Sequence, residues 1–149
     1  MSYLTAMQRN EEETFVEKYK IMTSQFGEIE YSNDLVYHFQ SGPAGFEELH
    51  DFIIINDEES APLHWLLSVE DPSVGFAVVE ASLIAPEIYS EVTPEDRENS
   101  VLFVIVILHQ PPERVTVNLK APILVRKDKR VASQLILNSE KYSTRHILT

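Results

Sequence analysis

The chain of 149 residues contains no cysteine. This absence excludes disulfide bonds, thiolate metal sites and a cysteine nucleophile, and it fits a reducing compartment such as the cytoplasm. The sequence also lacks a Gly-x-Ser-x-Gly motif, a Gly-rich phosphate loop and a dinucleotide-binding fingerprint. Residues 1–14 carry no apolar stretch behind a basic start, so we expect no secretory signal. These absences favour a soluble cytoplasmic protein.

Basic residues are scarce and unevenly placed. The chain has 12 Lys and Arg against 24 Asp and Glu, a formal net charge of −12. Between residues 21 and 112 the only base is Arg97, whereas residues 113–149 carry a net positive charge. A surface of this sign should repel nucleic acid and attract a basic protein. Solubility alone is the other explanation of the acidic composition.

Long hydrophobic runs are missing as well. The longest is residues 101–108, VLFVIVIL, which is too short to cross a bilayer. Its length and β-branched content predict a strand that is buried on both faces. Pro111 and Pro112 should end this strand, because proline lacks the N–H that a β-ladder needs. A second strand is predicted over residues 115–125, with an interruption at residues 118–122.

Short apolar segments separated by turn residues continue through the chain, which indicates an all-β protein. We predict a single domain over residues 15–149, a small closed or partly open antiparallel β-barrel with one or two short helices. Residues 1–14 are expected to form a flexible extension. Thr93-Pro94 marks a helix start, with Thr as N-cap and Pro at the first helical position. Further strands are predicted at residues 15–24, 29–31, 35–39, 52–55, 64–69, 75–79 and 134–137.

Metal and catalytic chemistry have little support in the residue pattern. Residues 47–51, Glu-Glu-Leu-His-Asp, offer oxygen and nitrogen ligands, but they lack the second His of a helix-borne zinc site. We therefore expect no metal and no other cofactor. Two alternatives stay open at this point, a β-barrel enzyme that uses clustered carboxylates and a lipocalin-like carrier of small ligands.

Asn118 is a polar residue within an otherwise apolar strand. It could present its amide to a ligand, or it could lie in a β-bulge and satisfy backbone groups near Pro122. We favour the bulge, because unpaired buried polar groups are costly. Trp65 and Phe46 are expected in the core, although either aromatic residue could anchor an interface.

Four motifs in this order resemble the flagellar assembly factor FliW family. The likeness covers residues 16–148 and rests on Gly42-Pro43-Ala44-Gly45-Phe46-Glu47, Leu67-Ser68-Val69-Glu70 with Phe76-Ala77-Val78, Val117-Asn118-Leu119-Lys120-Ala121-Pro122-Ile123, and Gln134-Leu135-Ile136-Leu137 with Tyr142 and Arg145. Ala44 replaces the Ile or Leu that is usual in the family.

The resemblance implies a non-enzymatic, monomeric, cytoplasmic regulator with a β-barrel fold. Such proteins bind flagellin and also sequester CsrA, a small RNA-binding protein that represses flagellin translation. Export of flagellin then frees the factor to capture CsrA. On this reading the protein contacts neither nucleic acid nor membrane directly.

Charge density in the predicted loops suggests where a basic partner would bind. This hypothesis uses the acidic loops between residues 41 and 73, with one apolar residue among them. We predict a partner-binding patch formed by Phe46, Glu47, Glu48, Asp57, Glu58, Glu59, Glu70 and Asp71. Four residues with predicted structural roles are Gly42, Gly45, Asn118 and Pro122.

Overall fold

The structure is a computed structural model that describes residues 17–109 and 115–148. Two α-helices are present in this part, α1 (Ala81–Ile84) and α2 (Pro94–Glu98), along with 3-10 turns at Asn33–Leu35, Glu58–Ser60 and Pro86–Glu91. The strands are β1 (Lys18–Thr23), β2 (Gly27–Ser32), β3 (Tyr37–Phe39), β4 (Asp51–Asn56), β5 (His64–Ser68), β6 (Gly75–Glu80), β7 (Ser100–Leu108), β8 (Val115–Arg126), β9 (Val131–Gln134) and β10 (His146–Leu148).

Seven strands close into a barrel in the order β8-β7-β6-β5-β4-β3-β9, because β9 also pairs with β8. β10 adds to β8 outside this ring, and β1 and β2 form a separate hairpin. The predicted antiparallel β-barrel is confirmed, with one exception in its pairing, since β3 and β9 are parallel. In a ring with an odd number of alternating strands, the pair that closes it must run in the same direction.

The barrel interior is filled by apolar side chains from every strand of the ring. Phe39 and Phe52, both fully buried, pack edge-to-face with their ring centroids 5.0 Å apart. Side chains of this face alternate with those facing outwards, as the two-residue period of a strand requires. The other members of this inner core are Tyr37, Leu66, Val78, Phe103, Ile123, Val125 and Ala132.

A second core lies outside the barrel. It forms where β6, β7 and β8 are covered by the segment containing α1 and α2 and by residues 135–142. Ile88 and Tyr142 are two of the buried side chains that these coverings contribute to the core that contains Leu102 and Val104. β7 is therefore buried on both faces, which confirms the prediction for residues 101–106. Ile107 and Leu108, at 41% and 60% exposure, extend beyond the covering.

Local predictions from turn chemistry agree with the structure in two places. Thr93 caps α2 by accepting a hydrogen bond from the N–H of Asp96 at 3.2 Å, and Pro94 begins the helix. β5 and β6 form the expected hairpin, and the N–H of Val74 donates to the carbonyl of Asp71 at 2.9 Å across its turn. Aspartate at the first turn position and proline at the second favour this geometry.

The carboxyl-terminal region differs from the prediction. The strand expected at residues 134–137 lies earlier, at Val131–Gln134, and the expected polar tail contains β10. The reason is Arg130, whose φ of 55° turns the chain back directly after the basic residues. The helix α1 was also not predicted. The proposed extension of residues 1–14, the start of the first predicted strand and the Pro111-Pro112 turn lie outside the described residues.

Candidate functional site

Strand direction brings several connecting segments together at one end of the barrel. Residues 40–50 connect β3 to β4, and residues 69–74 connect β5 to β6, so both connections lie where β4 begins. Residues 118–122 of β8 and the last residue of β9, Gln134, approach the same end. We call these residues together the loop end. Residues from all four motifs noted in the sequence meet there.

Glycine shapes the connection between β3 and β4. A Cβ on Gly42 would lie 2.2 Å from the carbonyl oxygen of Phe46 and 2.3 Å from that of Leu49. Gly45 has a φ of +91°, a region that other residues rarely adopt. Phe46 donates its N–H to the carbonyl of Pro43 at 2.7 Å, which closes a tight turn that contains Gly45. The loop therefore has one compact backbone path.

Gln134 ties this loop to β8. Its Oε1 accepts a hydrogen bond from the N–H of Ala44 at 2.7 Å, and its Nε2 donates to the carbonyl of Ala121 at 3.1 Å. The carbonyl oxygen and the NH2 group of one side-chain amide thus connect two segments that are distant in sequence. The sequence marked Gln134 only as part of a motif, and no local pattern indicated this contact.

Asn118 begins a large β-bulge in β8. Ile105 of β7 lies opposite Asn118, whereas Phe103, two residues earlier, lies opposite Ile123, so residues 119–122 bulge from the ladder. Asn118 Oδ1 accepts the N–H groups of Lys120 and Ala121, each at 3.1 Å. The structural interpretation of Asn118 is therefore supported, with its amide turned to the backbone of the bulge. Pro122 closes the bulge in a fully buried position.

Glu70 joins the two connections of the loop end. Its Oε1 accepts hydrogen bonds from the N–H of His50 at 2.5 Å and from the N–H of Asp51 at 2.8 Å. These backbone donors, Asp51 first, hold the pKa of the Glu70 carboxyl below its ordinary value, and nearby His50 and His38 add to the effect. Sequence reasoning selected Glu70 as a docking charge, but its carboxylate also holds the backbone of the neighbouring loop in place.

Two other carboxylates of the predicted patch have local partners. Glu47 Oε2 accepts the N–H of Gly45 at 3.1 Å, and this bond lowers the pKa of Glu47. Asp71 Oδ1 accepts the hydroxyl of Ser73 at 2.7 Å within the β5–β6 turn. Glu48 is exposed on the same loop. Phe46 is half-buried and packs edge-to-face on Phe76, with centroids 5.5 Å apart.

The remaining residues of the predicted patch lie elsewhere. Asp57, Glu58 and Glu59 follow β4, so the whole length of that strand separates them from Glu70. Asp57 caps the 3-10 turn by accepting the N–H of Glu59 at 3.2 Å, and Glu58 and Glu59 are exposed. The eight residues therefore form two groups at opposite ends of β4. Trp65, the other candidate anchor, packs edge-to-face against Phe26 of the β1–β2 hairpin.

Histidine and carboxylate groups lie side by side next to the loop end. His38 Nδ1 is 2.8 Å from Asp51 Oδ1, and the His38 and His50 rings stack with centroids 5.8 Å apart. His50 directs its Nδ1 to the carbonyl of Phe39 at 2.9 Å. Within residues 17–109 and 115–148, no group of three or more such side chains is arranged to hold a metal ion. No helix in the same residues is long and apolar enough to cross a membrane.

Comparison with known proteins identifies the family. The family model described as FliW protein matches residues 20–148 of the chain. The chain belongs to the FliW family. It is 36% identical over 136 residues to a flagellar assembly factor FliW from Caldanaerobacter subterraneus subsp. tengcongensis, with 85% of this chain and 91% of the relative covered. It is 37% identical over 138 residues to a protein of the same name from Thermotoga neapolitana, with 87% and 93% covered.

A solved structure agrees with this assignment. The chain matches a crystal structure of the flagellar assembly factor FliW with a TM-score of 0.74 and 30% sequence identity. The match covers 87% of this chain and 96% of the other. The FliW family, predicted from the four motifs, is thereby confirmed, and so is the β-barrel that it implied.

Proposed function

We propose that this FliW-family chain is a non-enzymatic flagellar assembly factor of the cytoplasm. In this proposal it binds flagellin and, when flagellin is exported, sequesters a CsrA-type translational repressor. Support comes from family membership together with the acidic character of residues 21–112. A protein that holds RNA must present clustered Lys and Arg, which this acidic region complements.

The observation that carries the docking part of the proposal is the loop end. Gly42, Gln134 and Glu70 fix its backbone through contacts between distant segments. A preordered surface loses little conformational entropy on binding, so more of its contact energy appears as affinity. Glu48 supplies an exposed charge on this surface, and half-buried Phe46 supplies an apolar contact.

The filled barrel interior agrees better with partner binding than with an internal ligand carrier. Phe39, Phe52 and Leu66 are at 0–2% exposure and occupy the space that a lipocalin-like protein would keep open. The carboxylates of the loop end accept backbone hydrogen bonds, an arrangement that positions loops. These observations favour an external surface as the functional site.

The experiment that tests the proposal measures association with the cognate flagellin and CsrA at low and high salt. Glu48→Lys should slow association with CsrA several-fold at low salt, because it reverses a charge at the proposed contact. Glu58→Lys with Glu59→Lys should slow association less and flatten its salt dependence, since these residues act only through the long-range field.

Each variant has a result that would contradict the proposal. If the wild-type protein binds neither flagellin nor CsrA, the proposed partner switch is wrong. An unchanged on-rate for Glu48→Lys at low salt would remove the loop end from the docking surface. An unchanged on-rate for the Glu58 and Glu59 double variant would show that this acidic turn does not affect association with CsrA. Circular dichroism of each variant controls for loss of folding.

A further inference from the structure

Apolar side chains reach the surface beside the loop end. β6 begins there and β7 ends there, because β4, β5, β6 and β7 are antiparallel to one another in turn. Two isoleucines of this region are exposed, Ile107 near the end of β7 at 41% and Ile147 in β10 at 45%. Single exposed apolar residues are ordinary on a protein surface, so the arrangement of these residues decides whether they form a site.

The strand register places the two isoleucines in one row. Ile107 of β7 and Ile147 of β10 both lie opposite Thr116 of β8, one on each side of it. Residues that lie opposite one another in antiparallel strands point to the same face of the sheet. The two isoleucines therefore flank Thr116 on one face, roughly 10 Å apart, since neighbouring strands are separated by about 4.8 Å.

The polar residue between the isoleucines is covered. Thr116 is only 4% exposed, although its neighbours on both sides are exposed. Its hydroxyl lies 3.0 Å from Nε2 of His109, so this polar group already has a partner within the chain. A protein that approaches this face therefore meets the apolar atoms of the two isoleucines.

Two phenylalanines continue the row towards the acidic loops. Ala77 of β6 lies opposite Val106 of β7, and Phe76 and Ile107 are the next residues of these strands towards the loop end. Phe76 is half-buried and packs against the inner core, and Phe46 lies edge-to-face on it. We call these exposed and half-buried residues the apolar row: Phe46, Phe76, Ile107 and Ile147.

Opposite charges flank the two ends of the apolar row. Glu48 is exposed two residues after Phe46, and Asp71 is exposed in the turn that precedes β6. Arg145 is exposed two residues before Ile147, at the other end. Charge complementarity therefore favours a partner that carries Lys or Arg beside its contact with Phe46. A basic protein surface with apolar residues at its centre fits this pattern.

We propose that the apolar row is the contact surface that gives the loop end its affinity for a basic protein partner. Burial of the row removes apolar area from water, and the carboxylates beside Phe46 orient the partner by charge. The inference rests on the proposed function, because it assigns a surface to the CsrA-type partner. It adds β7 and β10, which no acidic residue marks, to the interface.

Ile147→Asp in the full chain separates apolar contact from charge. The change adds a negative charge, so attraction through the field alone would leave binding of the cognate CsrA equal or tighter. If the apolar row is buried in the complex, the new carboxylate loses its water there. We expect the Kd for CsrA, measured by isothermal titration calorimetry, to rise roughly tenfold or more. The loss should persist at about 0.5 M salt, where charge effects are screened.

A matched variant places the same charge on the other face of the sheet. Leu108 follows Ile107 in β7, is 60% exposed and points to the opposite face. Leu108→Asp should therefore bind CsrA at least as tightly as the wild type. Ile107→Asp is the second variant within the apolar row, and it should weaken binding as Ile147→Asp does. Circular dichroism shows which variants are folded.

The outcomes separate this inference from the proposed function. If the wild type binds CsrA and the two isoleucine variants bind as tightly as Leu108→Asp, the apolar row is wrong and the partner switch still holds. A wild type that does not bind CsrA overturns both. Equal weakening in Leu108→Asp would assign the loss to the added charge and overturn the inference. Wild-type self-association that Ile147→Asp abolishes, measured by sedimentation equilibrium, would assign the row to a second copy of the chain instead.

Discussion

The two ends of the barrel accommodate irregular backbone in different ways. At the loop end, glycine removes the steric conflict, as at Gly42 and Gly45, and carboxylate or amide oxygens accept the N–H groups that no strand uses. At the opposite end, in the turn between β8 and β9, Arg130 keeps a full side chain at a positive φ, and its buried Nε–H has no acceptor among the described residues. Among the described residues, the buried side-chain polar atoms of the loop end all have hydrogen-bond partners, whereas the turn at the opposite end leaves Nε of Arg130 without one.

The loop end shows that an acidic residue can hold the backbone of a loop as well as carry a docking charge. The sequence predicted Glu47, Glu70 and Asp71 as docking charges. Glu47 and Asp71 each accept a hydrogen bond within their own loop, and Glu70 accepts one from the neighbouring loop. Glu48 carries an exposed charge at the same end. A carboxylate that already holds the backbone can still contribute to the field, but replacing it alters the surface as well as the charge.

The largest expected effect comes from Gly42→Ala. The new Cβ would meet two backbone carbonyl oxygens at 2.2 and 2.3 Å, and neither can move without distorting residues 42–50. We expect a loss of about 2–3 kcal/mol in the free energy of unfolding, measured by urea denaturation. Ser41→Ala is the control. A wild-type stability of Gly42→Ala would contradict the steric argument.

Asn118→Ala tests whether oxygen acceptors hold the bulge. The change leaves the N–H groups of Lys120 and Ala121 without the acceptor that they share at 3.1 Å. We expect a destabilisation of about 2 kcal/mol, seen as a lower urea midpoint with an unchanged slope. Asn138→Ala, an exposed position, should change the midpoint little. Equal midpoints for the two variants would mean that the bulge does not depend on this side chain.

Glu70→Gln should give the smallest effect, and it concerns acid stability. The pKa of Glu70 is lowered in the folded state from its ordinary value of 4.5. The contribution of the Glu70 carboxylate to the free energy of unfolding is therefore complete above that value, and it is lost as the pH falls through the lowered pKa. The glutamine variant keeps an acceptor but cannot titrate, so its stability should fall less between neutral and acidic pH. Because Glu70 is exposed, solvent screening keeps this difference small.

Denaturant midpoints at neutral and at acidic pH measure the Glu70 effect. Glu48→Gln removes the same charge at the loop end outside these two hydrogen bonds and is the matched control. An identical pH dependence for the Glu70→Gln variant and the wild type would show that the backbone donors of His50 and Asp51 do not favour the carboxylate.

Much of the architecture follows from local sequence properties. The apolar residues 101–108 were long and β-branched enough to predict a strand buried on both faces, and the two cores on β7 confirm this through residue 106. Thr93-Pro94 predicted the start of α2, and Asp71-Pro72 predicted the β5–β6 turn. These features depend on a few neighbouring residues, whose steric and hydrogen-bonding preferences act over short distances.

Only the tertiary structure decided which residues form a site. The parallel pairing of β3 with β9 follows from closing a ring of seven strands, and no local sequence pattern in either strand predicts it. The separation of Glu58 from Glu70 follows from the direction of β4, and Gln134 meets Ala44 only after the ring has closed. The sequence by itself determined most of the strands, several of the turns and the family. Which acidic residues share a surface, and where Arg130 meets Tyr37, depended on contacts between segments far apart in the chain, which local preference does not encode.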